Sequence, residues 1–171
     1  MKKFRIAICG KMGAGKSYLA KQLAKKYNLD IYSFGEKLKE IARELCGMTT
    51  KDRKLLQTLA DKMKEIDYDI WAKYLLRKIG NSQHVVIDDL RFENEYKLLK
   101  ENGFIIIRLG MSKELQLERL KQTYGENSEQ HIKCRNHNSE SDKTLNSFEV
   151  DYDFQSRDDN QNFETLVKKF G

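Results

Sequence analysis

The sequence predicts an α/β fold in which helices flank a parallel sheet. Short apolar runs alternate along the chain with amphipathic stretches, an order typical of strands joined by right-handed helical crossovers. A glycine-rich turn joins the first apolar run to the first amphipathic stretch, as expected for a tight connection from strand to helix. The length of 171 residues fits one domain, residues 1–171, with a sizeable core.

The first elements of this pattern are the most clearly marked. Residues 4–9 are mostly apolar and predict a buried strand. Residues 16–27 predict a helix, because their apolar side chains share one helical face: Leu19, Ala20, Leu23, Ala24 and Tyr27. Residues 31–34 predict a second, short strand.

Three helices are expected between the second strand and the third. Residues 36–46 carry apolar side chains at helical spacing and are followed by Gly47, a favourable C-terminal cap. Thr50 is the expected N-cap of a helix with apolar residues from Leu55 to Ile66. A further helix is expected to start at Asp69 and to end before residue 80.

The second half of the chain continues the alternation. We predict strands over residues 84–87 and 104–109, helices over 93–102 and 112–122, a polar irregular stretch over 123–147 and a weak strand over 153–157. The strand at 104–109 is apolar throughout, which indicates burial on both faces. A final helix is indicated by Phe163, Leu166, Val167 and Phe170.

The composition favours a cytoplasmic protein that acts on small molecules. The net charge of +6 comes from 32 basic and 26 acidic residues without a long basic block, so nucleic acid is not the expected partner. The three cysteines are an odd, widely spaced set, which argues against a disulfide framework. No segment reaches the length of a membrane span, and a monomer or homodimer is expected.

The strongest motif is G-x-x-x-x-G-K-[ST] at residues 10–17, in the strand-to-helix context that it requires. Its backbone N–H groups can turn inward around phosphate oxygens, and the following helix adds its positive dipole end. Lys16 adds a charge, and the Ser17 hydroxyl suits Mg²⁺. We therefore predict that ATP and Mg²⁺ are bound by Gly10, Met12, Gly13, Ala14, Gly15, Lys16, Ser17 and Tyr18.

Two carboxylates follow the third strand, where ligands collect in parallel α/β sheets. Asp88 is the expected second Mg²⁺ ligand beside Ser17 and Asp89 is the expected catalytic residue, while the sequence leaves open which of the two faces the site. Strand side chains alternate, so the two carboxylates cannot point the same way without a bend. Helix capping is the alternative role for this pair.

Cations in two other regions are candidates for holding phosphate. Lys37 and Arg53, with Gln57, lie in the helical region at about 35–80, although such side chains commonly occupy a solvated helix face. The polar stretch at about 119–145 is predicted to be a lid, which carries Arg119, Arg135, His137 and Glu140. A zinc site is an alternative interpretation of residues 131–137, but they offer only three candidate ligands. Trp71 is expected in the core, and base stacking by Phe34 or Trp71 is the alternative.

These motifs occur in an order that resembles phage- and virus-type deoxynucleoside monophosphate kinases over nearly the whole chain. The matching elements are the loop at 10–17, Ser33 to Lys39, Arg53 to Gln57, Asp67 to Trp71, Asp89-Leu90-Arg91-Phe92 with Glu95, and His137-Asn138-Ser139-Glu140. The resemblance implies a fold similar to adenylate kinase, with a five-stranded parallel core, a helical monophosphate-binding region and a lid. It also implies ATP-dependent phosphorylation of deoxynucleoside monophosphates.

The resemblance assigns a role to individual residues. Lys16 would bridge the β- and γ-phosphates and Ser17 would bind Mg²⁺, while Arg119 and Arg135 would stabilise charge on the transferring phosphoryl group. The acceptor nucleotide would be bound by Lys37, Arg53, Gln57, Lys64, Trp71, Asp89, Arg91, His137 and Glu140. Lys64 departs from the arginine typical of the family and loses its fork geometry.

Two alternatives remain open from the sequence. Another small-molecule kinase of the same fold, acting on phosphomevalonate or dephospho-coenzyme A, would use the same parts with a different acceptor pocket. A non-catalytic nucleotide-binding module is the second alternative. A GTPase is disfavoured, because the chain has no N-K-x-D motif and Asp88-Asp89-Leu90-Arg91 lacks the glycine of D-x-x-G.

Overall fold

The computed structural model describes residues 4–125, 142–155 and 159–170 as strands, helices and their connections. The strands are β1 (Phe4–Gly10), β2 (Asp30–Tyr32), β3 (His84–Leu90), β4 (Ile105–Gly110) and β5 (Tyr152–Gln155). The helices are α1 (Lys16–Tyr27), α2 (Phe34–Cys46), α3 (Arg53–Ile66), α4 (Ile70–Ile79), α5 (Glu93–Glu101), α6 (Lys113–Tyr124), α7 (Asp142–Ser147) and α8 (Asp159–Phe170).

The strands form one five-stranded parallel sheet in the order β2-β3-β1-β4-β5. The central strand β1 pairs with β3 on one side and with β4 on the other. All strands therefore end at the same edge, where β1 leads into the turn at residues 10–17 and β3 ends after the two aspartates. The predicted fold, a five-stranded parallel sheet flanked by helices, is confirmed.

Apolar side chains fill two core layers, one on each face of the sheet. In β1, Ile6 and Ile8 belong to the layer covered by α1 and α8, whereas Ala7 and Cys9 belong to the layer covered by α4, α5 and α7. This alternation follows from the two-residue period of a strand. Burial raises the pKa of the Cys9 thiol to about 11, as expected for a structural cysteine. Among the described residues, no helix combines the length and the apolar content needed to span a bilayer.

Helices α2, α3 and α4 form the predicted insertion between β2 and β3, here called the helical insert (residues 34–79). Each of the three helices contacts the other two. The Trp71 indole N–H donates a hydrogen bond to the Ala60 carbonyl at 3.4 Å and links α4 to α3. Phe34 and Leu75 pack into the sheet layer that contains Cys9, so the insert is anchored to the core.

Several local predictions were wrong. Strand β2 ends at Tyr32, since Phe34 turns into the core as the first residue of α2. The N-cap of α3 is Asp52 rather than Thr50, and its carboxylate accepts the Leu55 N–H at 2.9 Å. Residues 142–147 form helix α7 within the stretch predicted to be irregular, and the buried Leu145 packs this helix against the sheet. Strand β5 starts and ends earlier than predicted.

Candidate active site

Residues 10–17 form the turn between β1 and α1, here called the phosphate-binding loop. Gly10 has φ 146° and Gly15, the N-cap of α1, has φ 88°. A Cβ at Gly10 would collide with the backbone oxygen of Leu109 in β4, so glycine is needed where the loop leaves the sheet. Ala14 is fully buried and Tyr18 is exposed on α1. The predicted ATP-binding residues therefore lie together at the end of β1.

The Lys16 ammonium lies across the phosphate-binding loop. It donates hydrogen bonds to the carbonyls of Gly10 at 2.6 Å and of Lys11 at 2.7 Å, and the residue is only 8% exposed. Helix α1 begins at Lys16, so the positive end of the helix dipole adds to the ammonium charge. This arrangement can bind a phosphate anion.

Ser17 and Asp88 meet at the first turn of α1. The Ser17 hydroxyl donates a hydrogen bond to Oδ2 of Asp88 at 2.7 Å. Burial raises the pKa of the Asp88 carboxyl, the hydrogen bond from Ser17 opposes that rise, and the neighbouring charge of Asp89 adds to it. Mg²⁺ prefers oxygen ligands and binds few protein groups beside substrate phosphates. A hydroxyl and a carboxylate at this position fit the predicted magnesium site.

Asp89 is directed to the helical insert, away from α1. Its carboxylate accepts hydrogen bonds from the Ser33 hydroxyl at 2.6 Å and from the N–H groups of Phe34 at 2.8 Å and Gly35 at 3.0 Å. These N–H groups are unpaired donors at the start of α2, so Asp89 stabilises that terminus. The alternation of consecutive strand residues thus directs Asp88 to the phosphate-binding loop and Asp89 to α2.

A cleft of about 230 Å³ lies between the helical insert and the end of β3, and we call it the insert cleft. Met12 of the phosphate-binding loop is part of its wall, so the cleft borders the loop. The wall combines cations with aromatic rings. The cations are Lys39, Lys51, Arg53, Lys64 and Arg91, and the rings are Phe34, Trp71 and Phe92.

Most residues predicted to bind the acceptor line the insert cleft: Arg53, Gln57, Lys64, Trp71, Asp89 and Arg91. Lys37 does not line it and pairs with Glu40 at 2.9 Å. Lys39 lines the cleft instead, because side chains two residues apart on a helix point in nearly opposite directions. No local sequence signal separates Lys39 from Lys37, because the packing of α2 against the sheet decides which side of this helix faces the cleft.

The turn between β3 and α5 carries Arg91 and Phe92, and Glu95 holds it. Oε2 of Glu95 accepts the N–H groups of Arg91 at 3.0 Å and Phe92 at 3.1 Å. Burial raises the pKa of the Glu95 carboxyl to about 7, and the charge of Asp89 adds to the rise. The Lys64 ammonium lies 3.7 Å from the centre of the Phe92 ring. In the sequence, only the family resemblance singled out Glu95. No local pattern predicted that its side chain is buried beside the cleft.

Helix α6 covers another side of the phosphate-binding loop. Nη1 of Arg119 donates a hydrogen bond to the Gly13 carbonyl at 3.0 Å, and Nε2 of Gln116 donates one to the Met12 carbonyl at 3.1 Å. Arg119 thus lies beside the loop, whereas the role of Gln116 was not predicted, although it precedes Arg119 by one helical turn. The remaining predicted lid residues, Arg135, His137 and Glu140, lie outside the described residues.

The chain matches the model of a known protein family. The AAA domain family matches residues 6–144, a range that includes the phosphate-binding loop and the insert cleft. The chain belongs to the AAA domain family. No curated protein matches the sequence at a significant level.

The fold is shared with small-molecule kinases of the P-loop type. Shikimate kinase from Aquifex aeolicus has a TM-score of 0.63 at 17% identity, over 98% of this chain and 96% of that chain. Shikimate kinase from Bacteroides thetaiotaomicron has a TM-score of 0.57 at 18% identity, over 98% of both chains. A gluconokinase from Sinorhizobium meliloti has a TM-score of 0.56 at 15% identity, over 99% of this chain and 96% of that chain.

Proposed function

We propose that the protein transfers the γ-phosphoryl group of ATP to a deoxynucleoside monophosphate, giving the diphosphate. The observation that carries this proposal is that the insert cleft borders the phosphate-binding loop, with Met12 belonging to both. Phosphoryl transfer needs the donor and acceptor oxygens in line, with cations around the transferring group. A cationic cleft beside the loop meets this requirement.

The donor half of the site consists of Lys16, Ser17 and Asp88. The Lys16 ammonium would exchange its two carbonyl partners for oxygens of the β- and γ-phosphates. Ser17 and Asp88 would hold Mg²⁺, which neutralises phosphate charge when bound. Arg119, which reaches the Gly13 carbonyl, lies close enough to the loop to stabilise charge on the transferring group. The roles of Arg135, His137 and Glu140 remain predictions.

The acceptor half consists of the insert cleft. A nucleoside monophosphate carries a phosphate dianion at one end and a flat base at the other, and the wall of the cleft offers partners for both. The guanidinium groups of Arg53 and Arg91 can bind phosphate in a bidentate manner. The rings of Phe34 and Phe92 and the Gln57 amide are suited to a base. Asp89 lines the same wall and would orient the acceptor.

A coupled assay of ADP release tests the proposal. The panel contains all deoxynucleoside and ribonucleoside monophosphates, with phosphomevalonate, dephospho-coenzyme A, shikimate and gluconate as competing acceptor classes. We expect turnover with at least one deoxynucleoside monophosphate and none with the Lys16→Ala variant. ATP binding without turnover of any acceptor would instead support a non-catalytic nucleotide-binding module.

A hydroxy-acid acceptor is the second candidate, because the similar solved structures include shikimate kinase and a gluconokinase. The aromatic rings in the insert cleft favour a base over an aliphatic acid, since a ring can stack on a base. Turnover confined to shikimate or gluconate in the same panel would select this candidate and refute the nucleotide acceptor.

A further inference from the structure

The turn between β3 and α5 has only two residues, and both of them line the insert cleft. Strand β3 ends at Leu90 and α5 begins at Glu93, so Arg91 and Phe92 form the whole connection. Their side chains contribute a guanidinium and a ring to the wall. The backbone conformation of this turn therefore determines where both groups lie.

The two N–H groups of this turn share one acceptor, Oε2 of Glu95. Two other helices, α3 and α6, are capped from exposed positions, by Asp52 and by Ser112. Glu95 differs, because it is only 5% exposed and also lines the insert cleft. Capping does not require a buried carboxylate, and burying a carboxylate is costly. We therefore attribute to Glu95 a role beyond capping the N-terminus of α5.

We infer that Glu95 is a positioning residue for the acceptor: it fixes the Arg91–Phe92 turn and so sets the place of the Arg91 guanidinium in the insert cleft. The inference rests on the proposed function. A misplacement of about 1 Å can cost a factor of about 100 in rate when a group must meet a substrate in one geometry. The two hydrogen bonds that Glu95 accepts from the Arg91 and Phe92 N–H groups oppose such a displacement.

The same turn also positions a second cation. The Phe92 ring lies beneath the Lys64 ammonium at 3.7 Å, and cation–π contacts of this kind orient an ammonium group. The charge of Lys64 favours the ionised form of Glu95 and the charge of Asp89 opposes it. Loss of the Glu95 acceptor oxygen should therefore disturb acceptor binding through both Arg91 and Lys64, while leaving the phosphate-binding loop intact.

Steady-state kinetics of Glu95→Ala and Glu95→Gln, with the acceptor that the wild type phosphorylates, test this inference. Alanine removes the acceptor oxygen, whereas glutamine keeps one oxygen as the acceptor, replaces the other with an NH2 group and removes the charge. We expect alanine to raise the KM for the acceptor about 10-fold or more, with the KM for ATP within about 2-fold. Glutamine should bring the acceptor KM back to within about 3-fold of wild type.

The matched control is Glu93→Gln, two residues away in the first turn of α5. Glu93 pairs with Lys97 at 2.7 Å on the exposed face of the helix, so this variant should leave both KM values unchanged. If alanine does not fold, Glu95→Asp replaces it, because the shorter carboxylate cannot span the same distance to both N–H groups. Aspartate should then raise the acceptor KM where glutamine does not.

Two results would overturn the inference. One is an equal rise of both KM values in the alanine or aspartate variant, which would show that Glu95 supports the fold in general. The other is an unchanged acceptor KM while hydrogen exchange shows loss of protection at the N–H groups of residues 91 and 92. A wild type that phosphorylates no deoxynucleoside monophosphate would refute the proposed function instead, so the two failures are distinct.

Discussion

Replacement of Glu95 by glutamine should flatten the dependence of folding stability on pH. The pKa of the Glu95 carboxyl rises from 4.5 to about 7 on folding because the group is buried. A pKa unit is worth about 1.4 kcal/mol, so this rise corresponds to about 3 kcal/mol. Glutamine has nearly the same size and hydrogen-bonding reach but does not titrate, so it isolates this contribution.

The sign of the effect follows from proton linkage. The folded protein binds the Glu95 proton more tightly than the unfolded chain, so this group stabilises the fold below about pH 4.5. That contribution is lost as the pH rises from about 4.5 to about 7. Between about pH 5 and pH 8, the unfolding free energy of the wild type should therefore fall by about 2 to 3 kcal/mol relative to Glu95→Gln.

Urea denaturation of both proteins in the absence of ligands, at several pH values across this range, measures the difference directly. A constant offset between the two curves reflects the change in hydrogen bonding, and only their relative slope reports on the carboxyl. Glu93→Gln should follow the wild-type slope, because Glu93 lies in an exposed ion pair. Parallel curves for wild type and Glu95→Gln would show that the carboxyl is not desolvated and would refute the reasoning.

Other substitutions should separate the parts of the site. Lys16→Ala should reduce kcat about 100-fold or more with the fold intact by circular dichroism, and normal turnover would exclude the assigned site. Arg91→Ala should reduce kcat/KM for the acceptor about 10- to 100-fold in steady-state assays while sparing the KM for ATP. Asp88→Asn should raise the Mg²⁺ concentration for half-maximal activity about 10-fold, and an unchanged Mg²⁺ titration would argue against its role as a ligand. Lys39→Ala should raise the acceptor KM and Lys37→Ala should not, which measured KM values for both variants will decide.

The sequence predicted those parts of the fold and site that local patterns determine. The phosphate-binding loop needs its glycines and its lysine at fixed offsets, so the motif locates the loop, and apolar runs locate the strands. Side chains that meet only after packing were harder to identify. Lys37 and Lys39 are equivalent in local sequence, and the rotation of α2 against the sheet decides which of them reaches the insert cleft.

The Asp88–Asp89 pair and Glu95 show the same limit. The alternation of strand side chains predicted that the two aspartates point apart. It did not predict their partners, because Ser17 in α1 and Ser33 before α2 approach them only in the folded protein. Glu95 is acidic and polar in sequence, and only the position of α5 makes it buried. Thr50 and Asp52 are both residue types that cap helices well. In the structure α3 begins at Arg53, so Asp52 is the residue that caps it.

The two neighbouring aspartates have a mechanical consequence. The Asp88 carboxylate is hydrogen-bonded to the first turn of α1, and the Asp89 carboxylate is hydrogen-bonded to the first turn of α2. A single peptide unit, with Cα atoms about 3.8 Å apart, joins these two residues. The helix beginnings that flank the two halves of the site are thus tethered to one short, stiff segment of covalent chain. The distance between the two helix beginnings is therefore coupled to the conformation of that one planar peptide unit.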